Sequence, residues 1–134
     1  MKMIGSFVTV ALSLVVIDAI WLGLVAPAFY KKHIGHLMAA NPNWIAAALF
    51  YTVFIVGLLY FVVRPLSADA SLAKVFLTGA LFGLVTYATY DLTNQATLKD
   101  WPVVVTAVDL AWGMFLSGSV SAVSVSILRA LGWI

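Results

Sequence analysis

The sequence predicts an all-α membrane protein: a four-transmembrane-helix bundle with a short amphipathic interfacial helix between helices one and two. Composition is the first reason. Of 134 residues, 64% are hydrophobic and 9% charged, whereas a soluble domain carries about 25% charged residues. Seven Lys/Arg and five Asp/Glu cannot cover such a chain with polar surface, so lipid must solvate most side chains. The second reason is length. Four apolar runs, at about 3–26, 45–64, 73–94 and 102–128, each approach or exceed the ~20 residues that span a ~30 Å hydrocarbon core. The third is punctuation: Pro27, Pro42, Pro65 and Pro102 fall between the runs or at a first turn, where proline is tolerated. Residues 1–134 are read as one domain.

The first run is interrupted only by Asp18. It is too long for the apolar core of a signal peptide and holds an acid inside, so a retained span is expected. Unpaired backbone groups are not tolerated in hydrocarbon, which makes this run and the other three helices. The next segment, Pro27 to Asn43, is mixed. Tyr30, Ile34, Leu37 and Met38 fall at helical spacing among Lys31, Lys32, His33 and His36, which predicts a helix lying on the membrane surface. The second run has no charge before Arg64-Pro65, and a short polar link leads to the third. Gln95 to Trp101 is shorter still, so helices three and four are expected to form a tight antiparallel hairpin. Gly79-x-x-x-Gly83 in helix three and Asp109, Gly113, Ser117, Ser121 and Ser124 in helix four form stripes of small residues that allow close helix approach. Trp44, Tyr51, Tyr60, Trp101 and Trp133 lie near span ends and read as interfacial anchors.

Depth along each helix brings out the acids. At 1.5 Å per residue, Asp18 lies roughly 12 Å from one end of helix one, Asp109 roughly 10 Å from the start of helix four, and Asp91 about 5–10 Å from the end of helix three. Antiparallel threading places all three near the face that carries the 27–43 segment. A carboxylate within a bilayer is costly and normally turns to a partner or a wet cavity. Asp18 shares a helical face with Trp21, and Asp109 shares one with Trp112; Tyr87, Asp91 and Asn94 line one side of helix three, with Tyr90 beside them. Asp18, Asp91, Asp109, Trp21, Trp112, Tyr87, Tyr90 and Asn94 are therefore the candidate ligand-binding or proton-relay residues. Structural use stands beside that reading, since polar side chains also hold membrane helices together by hydrogen bonds.

Other chemistries find little support. With no cysteine, disulfides and thiolate-bound metals are excluded. His33 and His36 are the metal-ligand candidates, but the helical Glu-x-x-His pattern of di-metal bundles is missing, so no metal and no cofactor is expected. Nucleophile-elbow, phosphate-loop and zinc-protease motifs are missing too. No basic, aromatic-interleaved patch points to nucleic acid.

The motifs Asp18-Ala-Ile-Trp21-Leu-Gly23, Phe50-Tyr51, Tyr87-Ala-Thr-Tyr90-Asp91-Leu-Thr93-Asn94, Trp101-Pro102 and Asp109-Leu-Ala-Trp112-Gly113 resemble domain-of-unknown-function family 2177, small and mainly bacterial predicted membrane proteins. The resemblance runs through nearly the whole chain. It implies a multi-pass protein of the bacterial inner (cytoplasmic) membrane and supplies no activity. Lys2, Arg64, Lys74 and Arg129 outnumber Lys31, Lys32 and Lys99 on the other side, which favours cytoplasmic termini.

The leading expectation for function is binding or proton-linked transport of a small cationic or lipophilic molecule at the acidic, aromatic site. Transport through so few helices would call for a homodimer. A membrane-embedded lipid- or isoprenoid-modifying enzyme and a structural accessory subunit of a larger complex are the alternatives. Besides the bilayer, a small-molecule or lipid ligand is the expected partner.

Overall fold

The computed structural model describes residues 2–66 and 68–134. The chain forms α1 (Lys2–Leu24), α2 (Ala26–Ile34) with a 3-10 turn at Gly35–Leu37, α3 (Trp44–Leu58) running into a π-helical turn (Leu59–Val63), α4 (Leu72–Thr97) and α5 (Val103–Ala130). Among the described residues four stretches are long and apolar enough to cross a membrane: α1, α3 with its π turn, α4 and α5. Their outer faces carry large apolar side chains such as Leu12, Ile45, Val53 and Leu77, each more than half exposed. Lipid suits such surfaces; water does not. The predicted bundle, with a short helix between its first two spans, is the architecture found.

Local chemistry sets the helix ends. The Asn43 side chain accepts the Ala46 amide at 3.0 Å and starts α3; Ser71 Oγ accepts the Lys74 amide at 3.2 Å and starts α4. The connection into α5 reverses through Asp100 at φ 58°, a conformation that aspartate tolerates better than most residues. In the π turn, the Arg64 amide reaches back five residues to the Leu59 carbonyl at 3.0 Å. The extra residue in that turn rotates the end of the span, and Val62 and Val63 are buried there.

Packing divides the molecule into two halves. In the half that holds the chain ends, Val10 and Leu14 of α1, Leu58 and Val63, Val75 of α4, and Val120 and Leu128 of α5 form one apolar core. Here α4 and α5 are in backbone contact along the small-residue stripes. A Cβ on Gly83 would stand 2.0 Å from the Gly113 carbonyl oxygen, and one on Gly79 2.6 Å from the Ser117 carbonyl oxygen. Gly132, at φ 64°, turns the chain back so that Trp133 covers Gly5 of α1. Arg129 donates to the Ala70 carbonyl at 2.7 Å, tying α5 to the α3–α4 link.

The opposite half is different. α3 packs against α1, while its π turn, at the far end, packs against α4 and α5. The backbones of α3 and α4 are thus apart towards the start of α3, where the aromatic ring of Phe54 reaches across to Phe82 and Tyr87. Trp44 and Tyr60 are mostly exposed, as anchors should be. Tyr51 and Trp101 are not placed as anchors. Trp101 is buried and its indole N–H donates to Thr106 Oγ1 at 3.1 Å, and the Tyr51 hydroxyl turns inward to Asp18.

Candidate functional site

Each aspartate lies six residues from the same-side end of its helix: Asp18 before Leu24, Asp91 before Thr97, Asp109 after Val103. At 1.5 Å per residue all three sit about 9 Å inside that end. All three are buried, Asp91 completely. Their side chains reach a common layer because α1 and α4 both pack against α5, which runs antiparallel to each. The hydrogen-bond donors come from the two elements that bring no acid.

From α3, the Tyr51 hydroxyl donates to Asp18 Oδ2 at 2.6 Å. From α2, the Tyr30 hydroxyl donates to Asp109 Oδ1, also at 2.6 Å. These lengths fall in the range of a hydroxyl donating to an ionised carboxylate. The Tyr30 bond spans 79 residues of sequence and ties the short helix across the bundle end to α5. Burial, then the hydrogen bond to Asp109 and its charge, hold the Tyr30 phenol above its ordinary pKa, so it remains a donor. Tyr87 of α4 lies between the two pairs, within electrostatic reach of Asp18, Asp91 and Asp109. Its ring rests on Gly113, where a Cβ would come within 2.4 Å of the ring carbons. Gly113 is therefore the residue that lets Tyr87 occupy the centre of the layer.

Asp91 breaks the pattern. As a carboxylate it accepts no hydrogen bond from any described residue, although the side chain is fully buried. Its carboxyl meets that of Asp109 across the α4–α5 contact, close enough for a proton on one to be donated to the other. Both acids line a cavity of about 370 Å³ in the gap between α3 and α4, walled by Phe50, Phe54, Thr86, Tyr87 and Tyr90. Among the described residues no lysine or arginine lines it. A second cleft of about 300 Å³ lies under α2, lined by Tyr30, Ile34, Met38, Tyr90, Trp101 and Asp109. Tyr90 and Asp109 thus belong to both clefts.

The remaining expected residues are placed as follows. Trp21 and Trp112 stack face to face, with ring centroids 4.7 Å apart and 12° between planes. They do not wall the cavity; Trp21 meets Tyr30 edge-on and supports the Tyr30–Asp109 pair. Asn94 lies against the Tyr90 phenol and donates no hydrogen bond to Asp91. His33 packs on the Phe29 ring, and among the described residues no three His, Asp or Glu side chains converge as metal ligands. Sequence reasoning missed Tyr30 and Tyr51 as partners of the acids, and Phe50 and Phe54 as cavity walls. The missed signal was weak: a tyrosine seven residues into a span, Tyr51 after Trp44, is too deep for the interface and at the depth of the acids.

The chain belongs to the family described as "Predicted membrane protein (DUF2177)", whose model matches residues 3–126; these are small, mainly bacterial proteins. No curated protein and no solved structure matches it.

Proposed function

We propose that this multi-pass membrane protein binds a lipophilic organic cation in the cavity between α3 and α4, with Asp91 as the counter-ion, and that the cation exchanges there against a proton. The observation that carries this reading is the fully buried Asp91 side chain, which lines an aromatic cavity and has no hydrogen-bond donor among the described residues. A buried polar group without a partner costs about 1–3 kcal/mol, and more when charged. A proton or a cation removes that cost. The walls favour an organic cation over a metal ion. Phe50, Phe54, Tyr87 and Tyr90 offer ring faces and apolar contact, whereas a hard metal ion needs about six oxygen ligands. The volume suits one small molecule. With Asp91 neutralised by a proton the site is empty and at rest; with a cation present the proton leaves.

Membership of the bacterial inner membrane with cytoplasmic termini belongs to the same proposal, and it puts the acid layer near the outer surface. A homodimer would supply the helices that a transport path needs.

The test is equilibrium dialysis of dodecylammonium against nanodiscs containing the purified protein, with empty nanodiscs as the blank. Saturable binding that weakens on acidification and is lost in Asp91→Asn is the expected result. Asp91→Asn nanodiscs that melt like the parent and still bind equally would refute the reading.

A further inference from the structure

The polar atoms around the cavity define the class of cation more narrowly, and this inference rests on the reading just given. The site is rich in acceptors. Asp91 offers two carboxyl oxygens that no donor among the described residues reaches. Asp109 commits Oδ1 to Tyr30, and its carboxyl faces that of Asp91. Thr86 lines the same cavity, but its hydroxyl hydrogen is directed to the backbone carbonyls of Phe82 and Gly83, at 3.0 and 3.1 Å. What Thr86 presents to the cavity is therefore lone pairs. The two carboxyls meet at the α4–α5 contact, at one end of the cavity, and Thr86 lies five residues back along α4. The aromatic rings line the rest.

We infer that the cavity recognises a cation that carries N–H groups, a protonated primary or secondary amine with one apolar chain, in preference to a quaternary ammonium. An ammonium head donates up to three hydrogen bonds. It can satisfy both Asp91 oxygens and one further acceptor while cancelling the buried charge. A quaternary head cancels charge but leaves those oxygens unpartnered. Its natural host is a cage whose every wall is a ring face, and here one end is carboxylate. The apolar chain lies along Phe54 and leaves past Phe50, which is half-exposed at the edge of the gap between α3 and α4. Entry from the hydrocarbon side follows from that opening. The same chemistry accounts for the exchange with a proton: an ammonium and a hydronium both approach the carboxylate as N–H or O–H donors.

The experiment uses the wild-type protein in nanodiscs and a methylation series on one chain: dodecylammonium, dodecyldimethylammonium and dodecyltrimethylammonium. The chain and the charge stay fixed while the N–H count falls from three to one to none. Affinity is expected to fall along the series, roughly ten-fold or more in total, with the largest step at the last methyl. In Asp91→Asn, checked for folding by its melting profile, the preference is expected to vanish. Affinity that is flat or rises with methylation overturns the inference while leaving the cation site standing, because every member still binds. If no member of the series binds above the empty-nanodisc blank, the cation site itself falls, and this inference with it.

Discussion

Replacing Tyr30 by phenylalanine removes one oxygen from the molecule and tests how the acid layer is held. The phenol donates to Asp109 at 2.6 Å, and Asp109 is 6% exposed, so water cannot easily replace the lost donor. Hydrogen bonds to charged groups contribute about 1.5–3 kcal/mol. Interhelical polar contacts in membrane proteins average only ~0.6 kcal/mol and reach ~1.7, because the unfolded chain in lipid also finds partners. The short length and the burial place this bond at the upper end of that second range, so a coupling of about 1.5 kcal/mol is expected. A double-mutant cycle isolates it: Tyr30→Phe, Asp109→Leu and the pair, each followed by unfolding free energy in bicelles. The cycle cancels the relief of Asp91–Asp109 repulsion that Asp109→Leu brings by itself. The folded-state pKa of Tyr30 is raised, so its contribution is fully present below about pH 10 and lost only as pH rises through the folded value. Neutral pH lies inside the window. Hydrogen exchange adds a local readout. Amides of α2 should exchange faster in Tyr30→Phe and remain unchanged in Tyr51→Phe, whose hydroxyl serves Asp18 instead. A coupling below about 0.5 kcal/mol, or equal loosening of α2 in both variants, would show that the short helix is not held by this pair.

Two further outcomes test packing and topology. Gly83→Ala places a methyl 2.0 Å from the Gly113 carbonyl oxygen and 2.6 Å from Ser117 Oγ, so α4 must move away from α5; overpacking of about 1–3 kcal/mol outweighs the ~1 kcal/mol gained in helix propensity, and the melting temperature should fall. Because the chain has no cysteine, single substitutions report sidedness directly: with cytoplasmic termini, an impermeant maleimide labels Asn41→Cys in intact cells and Asp69→Cys only after lysis, and the reverse pattern would invert the molecule.

The fold was legible in the sequence because the signals that make it are one-dimensional. Run length, proline position and the Gly79/Gly83 stripe each act within a helix or between two sequential ones, and the α4–α5 contact follows from a connection too short for any other arrangement. Depth is also one-dimensional, which is why the level shared by Asp18, Asp91 and Asp109 could be worked out from residue counts alone. Rotation about each helix and contacts between distant segments are not. Trp21 and Trp112 follow their aspartates at the same spacing and were expected to wall the site, yet their rings face each other. Tyr51 and Trp101 read as interfacial anchors from the sequence, yet both turn inward. The π turn at Leu59–Val63 had no sequence mark, and it is the turn that packs on α4 and α5 while the start of α3 stands off. The cavity exists because of that offset, so its walls, Phe50 and Phe54, could not be assigned beforehand.

The arrangement of donors explains why one acid of the three differs from the others. Two acids meet tyrosines, and those tyrosines come from α2 and α3, the elements without a buried acid. The ionised Asp91 has no donor among the described residues, and an unpartnered buried carboxylate weakens the fold it belongs to; a proton shared with Asp109, or a bound donor, removes that cost. Asp91 adjoins that second acid and lines the space left by the offset of α3. The half of the bundle with the apolar core and the close α4–α5 contact is where stability resides. The acid half is held by two phenol–carboxylate bonds and by aromatic edges. Such a division leaves the firm half able to tolerate a destabilising group in the other. Asp91 is that group, and under the proposed function a ligand that supplies donors to it recovers the cost of burying it.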